Sequence, residues 1–399
     1  MKQQHFFAGC LLVCLASFTA VTPATAQSLN LTPVFSDAEK QTQVLLAEVP
    51  KAMDAAQPKL LFPRTVEKGH LKLVSATDWT SGFPSGVLWF LYDYTGKKEW
   101  RTAAEQQTVL MEKEQWNKTT HDMGFKMYCS YGSGYRLTKD PAYKEVLLQS
   151  ARTLCTRFNP TIGCIRSWDN RKWAFPVIID NMMNLELLFA ATRLSGDSSF
   201  YRIAVSHANT TLKNHFRADH SSYHVVDYDS ATGGVISRGT HQGYADESAW
   251  ARGQAWGLYG FTMCYRETKN KAYLQQAEAI AAFILNHPNL PADKVPYWDF
   301  NDPAIPAVPR DASAAAVMAS ALLELSDYSM HKKEYRQAAT AILTSLTNQY
   351  RSRVGENYGF ILLHSTGHKP ANSEIDVPLN YADYYYLEAL LRYKGNRNK

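Results

Sequence analysis

Beyond its N-terminal segment this 399-residue chain has no long apolar run, no Lys/Arg run, no Gly-rich phosphate loop and no closely paired cysteines. Each absence removes a class of function. Without a later run of spanning length, no transmembrane helix is expected. Without a Gly-rich loop after a strand or a Gly-x-Ser-x-Gly elbow, nucleotide cofactors and Ser/His/Asp hydrolysis are disfavoured. A net charge of +5 with no basic cluster behind it points to neither nucleic acid nor an anionic membrane as partner. Cys129, Cys155, Cys164 and Cys264 lack metal-ligand spacing and sit among apolar or aromatic neighbours, as buried free thiols do, although one bridge stays open in an exporting compartment. His224 and His241 have no fixed third partner, so neither zinc nor any other cofactor is expected.

What is present begins with a leader. Lys2 precedes an apolar stretch from Phe6 to about Val21, and Ala24-Thr25-Ala26 offers small residues for cleavage before Gln27. Residues 1–26 therefore read as a secretory signal, which takes Cys10 and Cys14 with it and implies an exported protein of the bacterial periplasm. A lipoprotein with Cys10 as acceptor fits less well, because the apolar run follows that cysteine. The remaining chain, 27–399, is 45% apolar over the whole sequence, which suits one large buried core. No Pro/Ser/Gly-rich linker divides it, so a single domain is expected.

A diverged repeat organises that domain. An aromatic followed by alanines at helical spacing recurs after a turn: Trp100 with Ala104, Tyr143 with Ala151, Phe200 with Ala204 and Ala208, Tyr273 with Ala277 and Ala281, Tyr335 with Ala339. Ser36–Met53, with Ser36 as N-cap, makes a sixth amphipathic helix. More apolar helix candidates, poor in charge on every face, lie at about 84–94, 122–136, 180–194, 248–266, 312–328 and 381–393. Six inner and six outer helices make an all-α (α/α)6 barrel, a six-hairpin toroid. The long connections 56–83, 112–121, 159–179, 216–247, 286–311 and 352–380 all lead into inner helices and so gather at one mouth. Within them, Tyr223–Tyr228 alternates enough for a short hairpin strand.

Two acids open equivalent inner helices. Asp122 stands beside His121 and Asp180 beside Asn181, and paired carboxylates in one cavity are general acid/base equipment. The plainer alternative is N-terminal capping, which Asp311 at the fifth inner helix also fits. The run from Thr240 to Gly257 mixes polar and aromatic residues as a core helix seldom does. Within it, Trp250 is placed to stack on a sugar and Arg252 to grip a carboxylate with two parallel hydrogen bonds. Otherwise Trp250 and Trp256 pack in the core and Arg252 pairs with Asp246 or Glu247. His224 and His241 read best as hydrogen-bonding residues for a substrate.

Taken in order, Asp78-Trp79-Thr80-Ser81-Gly82-Phe83, His121-Asp122-Met123-Gly124-Phe125, Ile165-Arg166-Ser167-Trp168, Asp180-Asn181-Met182-Met183-Asn184, the 240–257 run and Asn380-Tyr381-Ala382-Asp383-Tyr384-Tyr385 resemble the unsaturated glucuronyl hydrolases, family 88 of the glycoside hydrolases. The similarity spans nearly the whole mature chain. It implies an (α/α)6 enzyme that removes a 4,5-unsaturated uronic acid from the non-reducing end of lyase-generated glycosaminoglycan oligosaccharides. By that resemblance Asp180 is the acid/base and Asp122 the second required aspartate. Protonation of C4 and addition of water near C5 give a hemiketal that opens and expels the remaining sugar. His121, His224, His241, Gln242, Arg252 and Trp256 surround the unsaturated sugar, with Trp79 and Trp168 as stacking walls. A proton donor to carbon benefits from a raised pKa, which a second carboxylate and the apolar Met182, Met183 and Trp168 would supply.

Ser365, Thr366, Gly367, His368 and Lys369 resemble the loop where some relatives accept a sulfate, so Ser365, His368 and Lys369 are candidates for a sulfated sugar; a solvated surface loop is the alternative. Two other functions fit the same fold. One is unsaturated rhamnogalacturonyl hydrolysis of pectin fragments, and the other a non-catalytic oligosaccharide-binding toroid. Function as a monomer or weak homo-oligomer is expected.

Overall fold

Helices alternate along the chain between two environments, one apolar on every side and one with a solvated face. In this computed structural model, which describes Met1, residues 29–170 and residues 172–397, they form six outer–inner pairs. In chain order they are α1 (Leu31–Ala52), α2 (Gly82–Thr95), α3 (Lys98–Val109), a π-helix (Gly124–Gly132) continued by α4 (Ser133–Thr138), α5 (Pro141–Cys155), α6 (Asn181–Ser195), α7 (Ser198–Asn214), α8 (Ala251–Thr268), α9 (Lys271–Asn286), α10 (Ala312–Leu325), α11 (Lys332–Gln349) and α12 (Asn380–Arg397). The inner ring runs α2, π-helix with α4, α6, α8, α10, α12, each packed on the next, and α12 closes it against α2. This is the (α/α)6 barrel. The expected leader, residues 1–26, lies outside the described residues apart from Met1.

Composition explains which helix goes where. α10 reads Ala-Ser-Ala-Ala-Ala-Val-Met-Ala-Ser-Ala-Leu-Leu-Glu-Leu and is buried nearly throughout, whereas α3 buries only Trp100, Ala104 and Thr108 along one stripe. Small residues let inner helices approach. A Cβ on Gly86 of α2 would lie 2.3 Å from the Tyr384 ring of α12, so only glycine fits there. Outer helices start on polar side chains: Asp140, Asp197 and Asn270 each accept the N–H two residues on. The helix expected from Ser36 starts five residues earlier, because Asn30 accepts Thr32 N–H at 3.2 Å and caps α1. Ser36 is inside it.

The closed end of the ring is sealed by charge. Arg266 of α8 binds Glu186 of α6 and, at 2.9 Å, Glu324 of α10, while Arg392 of α12 binds Glu324 at 2.6 Å. Removing one member would strand its buried partners. Among the described residues the four mature cysteines are all free thiols, so the bridge left open by the sequence is not formed.

Short antiparallel strands decorate the other end. β1 (Phe62–Glu67) and β2 (His70–Val74) form a hairpin about Lys68-Gly69, both at positive φ. β3 (Phe158–Asn159) pairs with β4 (Cys164–Ile165), and β5 (Pro176–Ile178), β6 (Val225–Tyr228) and β7 (Val235–Gly239) make a three-stranded sheet in that order. β6 is the strand expected at Tyr223–Tyr228, begun at Val225. All lie in the long connections, so the mouth is built on a rigid rim.

Candidate active site

Asp180 is the residue immediately before α6, and its side chain makes no capping hydrogen bond. Capping is therefore not its role; Asp311, by contrast, does cap α10, accepting Ser313 N–H at 3.0 Å and Ala314 N–H at 3.3 Å. Burial pushes the Asp180 carboxyl up to about 7, and the nearby Asp122 adds to the rise. The Arg252 charge, Asp180's own backbone N–H and the Trp256 indole N–H oppose it. A carboxylic acid in this state holds its proton near neutrality.

His224 faces that acid with a fixed tautomer. Its Nδ1 accepts the backbone N–H groups of His241 at 3.1 Å and Gln242 at 3.2 Å, so the ring proton sits on Nε2. Nε2 lies 3.6 Å from Asp180 Oδ2. Burial, together with His241 and Arg252, holds the His224 pKa well below that of a free imidazole. The ring is thus a neutral donor aimed at the acid. It packs on Trp250 at 4.6 Å and edge-on to Trp168 at 5.9 Å.

Asp122 sits at the entrance to the π-helix, where its Oδ2 accepts the Thr120 hydroxyl at 2.9 Å. His121 donates Nδ1–H to Ser167 O at 2.7 Å and turns Nε2 to within 3.3 Å of Asp122 Oδ1. The strand residues behind are tied in turn: Ser167 Oγ accepts Ile178 N–H, and Asn181 Nδ2 donates to Ile165 O. Four buried atoms at this spot, Asp180 Oδ2, His224 Nε2, His121 Nε2 and Trp256 Nε1, have no formed hydrogen bond within the protein. Buried polar atoms of this kind take their hydrogen bonds from water or a polar ligand.

A cavity of about 560 Å³ opens above, lined by Trp79, Trp168, His241, His368, Arg64 and Tyr381 among others. Through Trp168 and His241 it reaches His224. On one side Trp168 lies 5.3 Å from Trp173 and 5.2 Å from His241, whose ring meets His368 at 4.6 Å. His368 Nε2–H donates to His241 O at 2.9 Å, and Gln242 Nε2 to Gly367 O at 3.0 Å. Trp79 makes the other side, 4.9 Å from Tyr381. Flat aromatic walls over a polar base suit a sugar ring.

The lining does not include Asp122, Asp180, His121 or His224, and several other residues expected at the site also stand outside it. Arg252 is 1% exposed and pairs with Asp311 at 2.6 Å, not with Asp246 or Glu247. Its terminal nitrogens also donate to Thr366 O and Gly367 O, so it brackets the last loop. Its charge acts on Asp180 through space. Trp250 and Trp256 are buried, the former against His224 and Arg252, the latter against Phe125 and Tyr385. Ser365 is buried too, its backbone paired with Val377. Lys369 bonds Asp302 at 3.4 Å and lies over the Trp298 ring, away from the cavity lining. Of the sulfate candidates, only His368 faces the mouth.

Sequence reasoning missed Arg64 and Trp173. Arg64 projects from β1 and is held by Glu374 at 2.5 and 2.9 Å and by Asp78 at 2.7 Å. Glu374 lies in the last long loop, while Asp78 shares the first long connection with Arg64. Trp173, five residues after Trp168 in one loop, repeats its aromatic signal and was there to be read.

The model of Glycosyl Hydrolase Family 88 matches residues 61–394. An unsaturated glucuronyl hydrolase of Formosa agariphila is 51% identical over 91% of this chain and 90% of its own. An unsaturated chondroitin disaccharide hydrolase of Streptococcus pneumoniae is 34% identical over 82% and 84%. The crystal structure of an unsaturated glucuronyl hydrolase specific for heparin superposes with a TM-score of 0.85, at 49% identity, over 91% of this chain and 98% of that one. With its helical ring, acid pair and near full-length match, the chain belongs to family 88 of the glycosyl hydrolases.

Proposed function

We propose that this glycoside hydrolase releases the 4,5-unsaturated uronic acid from the non-reducing end of lyase-generated glycosaminoglycan disaccharides, by hydrating the C4=C5 bond. The carrying observation is Asp180: a buried carboxyl pushed up to about 7, with one oxygen unpartnered and linked through His224 to Trp168 and His241, which line a sugar-sized cavity. As the acid it gives its proton to C4. Water adds at C5 and returns a proton to the same carboxylate, so the site is reset. The resulting hemiketal opens and the remaining sugar leaves. Asp122 with His121 supplies the second charge of the pair, and neutral His224 holds Asp180 in line. Trp168, with Trp173 packed on it, faces Trp79 and Tyr381 as walls for the sugar.

The relative specific for heparin makes a heparin-derived unsaturated disaccharide the first substrate to try; sulfate acceptance rests on His368, since Lys369 is engaged by Asp302. Export through the 1–26 leader to the periplasm belongs to the same reading, since lyases acting outside the cytoplasm would deliver such disaccharides there. The test is loss of the unsaturated-uronate absorbance on heparin, chondroitin, hyaluronan and pectin-derived fragments. Loss on a glycosaminoglycan disaccharide supports the proposal. Loss only on unsaturated galacturonyl-rhamnose, or binding without loss on any fragment, refutes it.

A further inference from the structure

The helices that carry the two acids pack against each other, and their backbones come closest about one turn below the carboxylates. Asn184 lies four residues after Asp180 on α6 and so shares its face. It is fully buried, and its Oδ1 accepts Phe125 N–H at 3.0 Å. Phe125 belongs to the first turn of the π-helix, where an N–H has no partner from its own helix. Beside it, a Cβ on Gly124 would stand 2.6 Å from Asn184 Cα and 2.9 Å from its Oδ1. The two backbones therefore meet directly, with the hydrogen bond as the pin.

We propose that the Asn184–Phe125 hydrogen bond, seated against Gly124, is the brace that sets the separation of Asp122 and Asp180. It rests on the reading of those two residues as the working pair. Two further observations favour positioning over plain packing. First, Asn184 Nδ2 has no hydrogen-bond partner. A buried unpaired amide donor costs stability, and an apolar side chain of similar size would avoid that cost. What an apolar side chain would not do is hold Phe125. Second, the helix is wound as π from Gly124, two residues after Asp122, a rare winding found frequently at functional sites. That winding places the Phe125 N–H against α6 and leaves Asp122 at the helix entrance.

Spacing matters because Asp122 contributes to keeping Asp180 protonated, alongside burial, against Arg252 and Trp256 and with neutral His224 at its side. If the helices part, water enters and the field of Asp122 weakens, and both changes favour ionised Asp180. The acid is then lost at lower pH.

The experiment compares Asn184→Leu, which removes the acceptor, Asn184→Asp, which keeps an oxygen for Phe125 N–H, and Gly124→Ala, which wedges the contact apart. The full-length enzyme is assayed by absorbance loss across pH, with melting temperatures recorded. The brace predicts that Asn184→Leu and Gly124→Ala lower kcat by about tenfold to a hundredfold, change KM less than kcat, and move the alkaline limb of kcat to lower pH. Asn184→Asp keeps the bond to Phe125 but adds a carboxyl beside the pair, so it should lose less kcat than Asn184→Leu and move the alkaline limb to higher pH, not lower. Should Asn184→Leu fail to fold, Gly124→Ala decides alone. Wild-type kcat and an unmoved alkaline limb in the folded variants would overturn the brace, as would equal losses in Asn184→Leu and Asn184→Asp. An active wild type with an inactive Asp180→Asn, alongside unaffected brace variants, would remove only the brace; inactivity of the wild type on every fragment would remove the functional reading.

Discussion

Replacing Asp180 by Asn should make the protein more stable, and by an amount that grows with pH. The buried carboxyl binds its proton up to about 7 in the folded state, against an ordinary value of 3.8. Between those values the folded protein keeps a proton that the unfolded chain gives up, so stability falls as pH rises through the window. Above it the full penalty applies. The rise from 3.8 to about 7, at 1.36 kcal/mol per unit, makes that penalty about 4.3 kcal/mol at pH 8, against about 1.7 kcal/mol at pH 5. Asparagine cannot ionise and escapes it. The packing change caused by the substitution is the same at both pH values, so the difference between them isolates the ionisation. Urea unfolding of wild type and Asp180→Asn at the two pH values should therefore give a stability gap that widens by about 2.5 kcal/mol toward alkaline pH. A gap that is constant or narrows would refute the buried-acid argument, whatever the activity shows.

Three other outcomes follow from the geometry. Trp173→Ala should raise KM for the disaccharide by about tenfold, the cost of one aromatic contact of roughly 1.4 kcal/mol, with kcat little changed; an unaltered KM would take Trp173 out of the site. Lys369→Met should lower activity on sulfated and unsulfated disaccharides by the same factor, because its ammonium is already held by Asp302 and Trp298. Selective loss on the sulfated substrate, measured as kcat/KM, would contradict that placement. Arg252→Met should destabilise the fold by about 3–5 kcal/mol, since it strands buried Asp311 and frees the Thr366 and Gly367 carbonyls. Denaturant midpoints would show it.

Much of the ring was legible because its cause is local. Aromatic–alanine spacing after a polar turn marks an outer helix, and an uncharged run marks an inner one, so both rings could be placed from periodicity. Boundaries were less legible. Ser36 and Asn30 are both fair caps, and only the packed start of α1, with Leu31, Val34 and Phe35 buried, distinguishes them. The π-winding after Asp122 had no signature in the apolar pattern, which differs little between 3.6 residues per turn and a wider coil; it emerges from Gly124 meeting α6.

Trp79, Trp168, His241, Gln242 and His368, all named from sequence, line the cavity. Not legible was which cations already have partners. Arg252 and Lys369 read as ligands for an anionic sugar because their partners, Asp311 and Asp302, lie 59 and 67 residues away. Arg64 has one carboxylate partner 14 residues away, Asp78, and another 310 residues away, Glu374. A long-range ion pair decides whether a cation is available, and spacing along the chain carries no record of it.

The central claim is that Asp180 delivers a proton to C4 and that the glycosidic bond is lost through hydration of the ring double bond. Turnover in heavy water tests it most directly, with the released uronate read by NMR. The account predicts one solvent deuteron at C4 and no remaining C4=C5 double bond in the product of the wild type, with no product from Asp180→Asn. Deuterium spread over both C4 faces in the earliest product would contradict it, because a sugar freed by displacement at C1 opens to a C5 enol that takes its C4 deuteron from solvent without a face preference.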